Sequence, residues 1–190
     1  EPDVRVISFP HRVVLLAGWN TRNPKLSDPR VRRALTLATD RQRILDGVRH
    51  GHGVIANSSV PPTHWAYDPA LADSLPYNPQ EARRLLEEAG WVDRNGDGIR
   101  ENEAGTPLEL EVLFNPNQER QEVGEIMQAQ LREVGVDMEL RAMEGSAFIG
   151  AITAPERNFE GMLLGWESEF RQDDRDLFHS QAMDGPYAFA

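Results

Sequence analysis

Between residues 108 and 166 the apolar pattern switches from alternation to helical spacing and back, and this succession admits only a small group of folds. Residues 108–114 alternate as a strand. Val123, Ile126, Met127, Leu131 and Val134 then share one face of a helix that Gly135 ends. Residues 136–141 read as the next strand, residues 146–152 as a short helix, and residues 159–166 as a largely apolar strand. Strand, helix, strand, helix, strand in this order predicts an α/β lobe whose sheet is parallel or mixed and flanked by helices.

Upstream, two β-prone runs, residues 4–9 and 12–17, are separated by Pro10-His11. Asp28-Pro29 supplies a cap and a first helical residue, predicting a helix over residues 29–46. Val31, Ala34, Leu35, Ala38 and Ile44 fall near its inner face, while Arg30, Arg32, Arg33 and Arg41 read as a solvated face. Residues 47–77 form a connection too long and irregular to be tight, and such loops are usually functional or braced. His64-Trp65 is expected to anchor it. Asn78-Pro79 opens a second helix with Ala82, Leu85, Leu86 and Ala89 inward; Gly90 stops it, and Trp91 packs beyond the stop. The chain divides into initial strands (1–18), a helical and long-loop part (19–92), an Asp/Gly loop (93–104), and a β-α-β part with the start of a cleft segment (105–190). Together they make a single lobe, 1–190.

Charge and composition exclude several functions. With 31 acidic against 20 basic residues and a net charge of -11, there is no basic surface for phosphate backbones, so nucleic acid is not an expected partner. The absence of cysteine excludes disulfides, thiolate metal sites and cysteine nucleophiles. No apolar run approaches the roughly 18 residues of a membrane span. Residues 1–3 lack the features of a secretion signal, so the chain is expected to be mature or cut from something longer. Gly-x-Ser-x-Gly, His-Glu-x-x-His and phosphate-binding glycine loops are all missing, and no enzyme activity is expected.

The block Trp19-Asn20-Thr21-Arg22-Asn23-Pro24-Lys25-Leu26-Ser27-Asp28-Pro29-Arg30-Val31-Arg32-Arg33-Ala34-Leu35, continuing to Asp40-Arg41, resembles the peptide, dipeptide and nickel class of bacterial extracellular solute-binding proteins, family 5. Val60-Pro61-Pro62, Asn78-Pro79 to Ala89-Gly90-Trp91, the Asp/Gly loop and Leu163-Leu164-Gly165-Trp166 follow in that family's order. The resemblance implies one lobe of a periplasmic-binding-protein-like receptor (class II, cluster C), periplasmic or on the cell surface. Such a receptor closes two lobes on a peptide or similar solute and delivers it to the membrane permease of an ABC importer. It is expected to act as a monomer without a required cofactor. Complete members look longer, so a first lobe before Glu1 and a closing segment after Ala190 are expected.

Two candidate sites follow. Trp166 ends an apolar strand where open α/β sheets place ligand crevices, and the resemblance makes it a pocket residue. Glu169 stands where oligopeptide-binding members carry an acid for the ligand's ammonium group; Glu167 or Asp173 could serve instead. No anion-binding arginine lies in the strand of residues 159–165, where Met162, Leu163 and Leu164 stand, so a group for a free carboxylate must come from elsewhere. Separately, Asp93, Asn95, Asp97, Gly98 and Glu101 have the spacing of a calcium loop. Ala104 occupies the place of the twelfth-position acid, Glu103 falls one residue early, and a strand rather than a helix follows. A plain structural turn is the competing reading, as chance is for His50-Gly51-His52. A calcium-stabilised interaction module and a carboxylate-based hydrolase are the alternatives from other functional classes.

Overall fold

The computed structural model describes residues 7, 11–71, 74–167, 173, 175, 179–182 and 185. In chain order its elements are β1 (Val13–Trp19), α1 (Pro29–Ala38), α2 (Arg41–Arg49), α3 (Pro79–Glu88), β2 (Glu109–Phe114), α4 (Gln118–Arg132), β3 (Asp137–Ala142), α5 (Gly145–Thr153) and β4 (Gly161–Glu167). The strands form one sheet in the order β1, β4, β2, β3. β2 is parallel to β3 and β4, and β1 runs antiparallel to β4. This is the expected mixed sheet, with α4 and α5 as the crossovers. The strand expected over residues 4–9 lies outside the described residues apart from Ile7.

Alternation along β4 sends Leu163 to one face of the sheet and Met162 and Leu164 to the other. On the first face α1, α3 and α4 close a large core around Leu35, Leu86, Leu110, Leu131 and Met138, all buried. Burying each such side chain contributes about 1.5–3 kcal/mol. On the second face α5 sets Phe148 and Ile152 against Leu113 and Met162 in a smaller cluster. β1 runs two residues beyond its expected end. Trp19 pairs with Gly161, and its ring fills the space there: a Cβ at Gly161 would lie 2.7 Å from Trp19 Cζ3.

The helix expected over residues 29–46 is instead two helices. Thr39 Oγ1 donates to Leu35 O at 2.9 Å and closes α1. Asp40 then caps α2, accepting from Arg43 N at 3.0 Å, while its own N–H donates to Gln130 Oε1 of α4 at 2.9 Å. A mid-pattern cap with a tertiary acceptor outweighs continuous apolar spacing. The arginines are also not simply solvated. Arg32 Nη1 donates to Leu26 O at 2.6 Å, and Arg30 Nη1 to Glu88 O at 2.8 Å. Arg41 is half-buried and reaches Asn57 Oδ1 and the Leu75 carbonyl, clamping both ends of the long connection; burial lowers its pKa.

That connection is braced, as its length required. Asn57 Nδ2 donates to Leu71 O at 2.9 Å, and His64 is buried. Trp65 is not an anchor: it is 78% exposed, its ring tilted against that of His64 at 5.4 Å between centroids. α3 matches its expected course. Asn78 Oδ1 accepts from Glu81 N at 3.0 Å, Gly90 takes φ +89°, and Trp91, buried, donates its N–H to Leu86 O at 2.9 Å.

Candidate functional site

Parallel β2 and β3 end together at Phe114 and Ala142; β4, which pairs Leu163 with Phe114, runs four residues farther to Glu167, where antiparallel β1 brings Val13 opposite it. Carboxyl ends of open α/β sheets are where crevices form, because the chain turns away into helices on both faces. Trp166 stands at this edge. It pairs with Val14, shares the α5 face with Met162 and Leu164, and is half-buried outside both buried clusters.

The residue beneath it on the opposite face is Arg120, which the sequence pattern did not single out. After β2 the chain passes Asn115-Pro116, and Asn117 caps α4 by accepting from Arg120 N at 2.7 Å. Arg120 thus sits in the first turn, one turn ahead of the buried Val123, Gly124, Met127 and Leu131. Its side chain points inward beneath β4. Its Nη2 lies 3.1 Å from where a Cβ at Gly165 would stand, so the glycine makes room for the guanidinium.

Few acceptors meet that cation. Arg120 Nη1 reaches Asn115 O only at 3.4 Å, and Nε is buried with no acceptor among the described residues. An unsatisfied buried donor costs about 1–3 kcal/mol. A cation in a helix's first turn also opposes the positive end of the helix dipole. Both costs are offset if an anion binds at the strand ends, where it would meet the guanidinium and a helix N-terminus together. Arg120 is the candidate for the cationic group that the strand of residues 159–165 lacks. One sequence signal does mark it: an arginine on the apolar stripe of a helix, at its third position.

The acids behave differently. Glu169 lies outside the described residues. Glu167 is exposed, its Oε1 3.8 Å from Arg12 Nη2, and Asp173 Oδ1 accepts from Arg175 N at 3.1 Å.

The Asp/Gly loop stands away from this edge and is closed by its own hydrogen bonds. Asp93 Oδ1 accepts from Gly96 N at 2.7 Å and its Oδ2 from Gly98 N at 3.0 Å; Asn95 Oδ1 accepts from Asp97 N at 2.9 Å and Asp97 Oδ1 from Ile99 N at 2.7 Å. The Ile99 N–H, and then the Asn95 amide, hold Asp97 below the usual carboxylate pKa. Gly96 and Gly98 adopt φ +79° and +88°, where a side chain would be strained. Glu101 bridges Val92 and Pro107, and its Oε1 accepts from Arg94 N at 2.7 Å.

An open groove of ≈ 860 Å³ lies on the flank between the end of α2 and the start of α4, lined by Arg49, His50, His52, Gln118, Glu119 and Glu122 among others. His50, at φ 52°, is the cap of α2. The groove includes neither Arg120 nor Trp166, and its charges are partly neutralised by the Arg49–Glu119 pair. The strand-end edge, with its unsatisfied cation, is the better candidate.

Comparison with known proteins identifies the family. Residues 1–185 match the model of the bacterial extracellular solute-binding proteins, family 5 Middle. The oligopeptide-binding protein AppA of Bacillus subtilis (strain 168) is 34% identical over 165 residues, covering 86% of this chain and 30% of that protein. The nickel-binding periplasmic protein of Escherichia coli (strain K12) is 33% identical over 142 residues, covering 74% of this chain and 26% of that one. The solved structure of Bacillus subtilis AppA in complex with a nonapeptide superimposes with a TM-score of 0.85 at 31% identity, over 94% of this chain and 36% of that chain. The chain therefore spans about a third of the length of the proteins it matches. It belongs to the family-5 bacterial extracellular solute-binding proteins.

Proposed function

We propose that the chain forms one lobe of the substrate receptor of an ABC importer, which captures peptides or similar small solutes outside the cytoplasm by closing two lobes around them. The observation that carries this reading is the Arg120 guanidinium, half-buried under Gly165 near the end of β4, with its Nε unpaired among the described residues and Trp166 on the other face of the same strand end. In the receptor these groups form one cleft wall. Arg120 and the α4 N-terminus take a carboxylate or other anionic group of the solute, and the Trp166 indole stacks on an adjacent part of it. Glu169 or a neighbouring acid receives an ammonium group of the solute.

Contacts to both walls favour the closed form by their differential affinity, and the permease reads that form. One wall alone desolvates only part of a ligand, so this lobe by itself binds weakly. The role is binding rather than catalysis, and the receptor works as a monomer. Support comes from the family membership and from relatives named for oligopeptides and nickel.

The test is calorimetry of the complete receptor against a panel of di- to pentapeptides. Binding that weakens on Trp166→Ala and Arg120→Gln supports the reading; a binder unaffected by both would remove the site.

A further inference from the structure

We propose that Glu160 is a positioning residue for the solute site: its carboxylate fixes the register of β4 against β2, and that register sets Gly165 over Arg120 with Trp166 on the opposite face. The consequence for solutes rests on the receptor reading above; the register does not. Arg120 is carried by the helix that follows β2, and Gly165 stands on β4, so the pairing of these two strands decides whether they meet. That pairing is short. β1 accompanies β4 along its whole length, from Val13–Glu167 to Trp19–Gly161, whereas β2 meets it only at Val112–Gly161, Leu113–Met162 and Phe114–Leu163.

Hydrophobic alternation leaves one error open. On the α4 side β4 reads Gly161, Leu163, Gly165 and Glu167, with Leu163 buried in the large core. A slip of one residue against β2 would turn Leu163 out of that core. A slip of two keeps every side chain on its own face, yet it sets Leu163 or Glu167 against Arg120 in place of Gly165.

Glu160 opposes that slip. It stands just before β4, level with Glu111, and its side chain is 21% exposed. Its Oε2 accepts from Glu111 N at 2.7 Å, which extends the short ladder by a side-chain rung. Its Oε1 accepts from Lys25 Nζ at 2.9 Å and Asn23 Nδ2 at 3.1 Å, and the same Lys25 Nζ donates to Glu109 O at 2.6 Å. The adjoining backbone is held as well: Asn20 N donates to Glu160 O at 2.8 Å, and Asn20 Nδ2 to Arg157 O and Phe159 O, both at 2.7 Å. A two-residue slip would carry Glu160 about 7 Å along β2, breaking its bond to Glu111 N and that of Lys25 to Glu109 O together. Bonds to charged groups are the strong ones, so a half-buried carboxylate bridging both strands is a firm pin. Asn20, Asn23 and Lys25, the polar residues that open the Trp19 to Arg41 block, thereby align the two halves of the site at its far end.

The experiment uses the complete receptor. By hydrogen exchange and mass spectrometry, Glu160→Ala should speed exchange of the 109–114 segment about tenfold, and Glu160→Gln, which keeps an acceptor for Glu111 N, less than about threefold. By calorimetry with the tightest peptide of the di- to pentapeptide panel, Glu160→Ala should raise Kd about tenfold and Glu160→Gln less than about threefold. Arg120→Gln should then cost less than about twofold in the Glu160→Ala background, because the guanidinium is already misplaced. A residue that only stabilised the fold would lower Tm and leave the Arg120 penalty intact. An undiminished Arg120 penalty, an unchanged Kd, unchanged exchange of residues 109–114, or equal losses in the alanine and glutamine variants each overturns the proposal. If Glu160→Ala fails to fold, Lys25→Met, which removes the cation and keeps the stem, is crossed with Arg120→Gln under the same criterion. If no peptide of the panel binds, the receptor reading fails, and the exchange of residues 109–114 still decides the register.

Discussion

The Arg120 guanidinium occupies the volume that a side chain at position 165 would need, with Nη2 3.1 Å from the place of a Cβ on Gly165. The two residues are 45 positions apart and meet only because β4 lies beside β2, whose following helix carries Arg120. Gly165→Ala should therefore act through Arg120. The obstructing atom is the end of a flexible side chain, so the fold survives and the cation shifts by a few tenths of an ångström or more. Affinity of the complete receptor for its solute, measured by calorimetry, should fall about tenfold, the loss of roughly 1.4 kcal/mol from one charge-assisted contact. Tm should stay nearly unchanged. A large Tm loss at unchanged affinity would mean that the glycine serves packing only.

Trp166→Ala should separate binding from stability in the same way. Trp166 is half-buried and belongs to neither buried cluster, so thermal unfolding should change little. Solute affinity should drop by about 1 kcal/mol, roughly fivefold, as expected for a stacking contact.

The core and the helix caps make graded predictions for urea unfolding. Leu86 is fully buried in the large cluster, and Leu86→Ala should cost about 2–5 kcal/mol. Asp40→Ala removes only the cap of α2 and should cost about 1 kcal/mol. The reverse order would refute this account of the core.

Acid should destabilise the chain through its helix caps and loop. Hydrogen bonds from Arg30, first from its side chain, hold Asp28 below the ordinary carboxylate pKa; the Ser146 hydroxyl does the same for Glu144, and the Ile99 N–H for Asp97. A folded-state pKa below the unfolded one contributes stability that is present above the unfolded value and lost as pH falls through the folded one. Tm should hold above about pH 5 and decline below about pH 4. Asp28→Asn keeps an acceptor for the cap but cannot titrate, so its acid decline should be shallower. An identical decline would exclude Asp28 as a contributor.

What the sequence made legible was local. Asn78-Pro79 at the start of α3 and Gly90-Trp91 at its end act through hydrogen bonds within a few residues, so pattern alone located that helix. The division between α1 and α2 was not legible, because Asp40 is fixed partly by Gln130, 90 residues away. The same physics hid half of the candidate site. Trp166 announces itself as an aromatic residue ending an apolar strand, whereas Arg120 has a role only after the sheet order places it under Gly165. Likewise, the arginines of the first helices read as a solvated face because their carbonyl partners, Leu26, Leu75 and Glu88, carry no sequence signature.

The most direct measurement crosses a change in the protein with a change in the ligand. In the complete receptor, the tightest peptide of the panel is compared with its C-terminal amide, in wild type and in Arg120→Gln. If Arg120 receives the carboxylate, amidation should weaken wild-type binding tenfold or more, about 1.4 kcal/mol or above, and leave the variant nearly unaffected. An amidation penalty of the same size in both proteins would contradict the placement of an anion-binding cleft wall at Arg120 and Gly165.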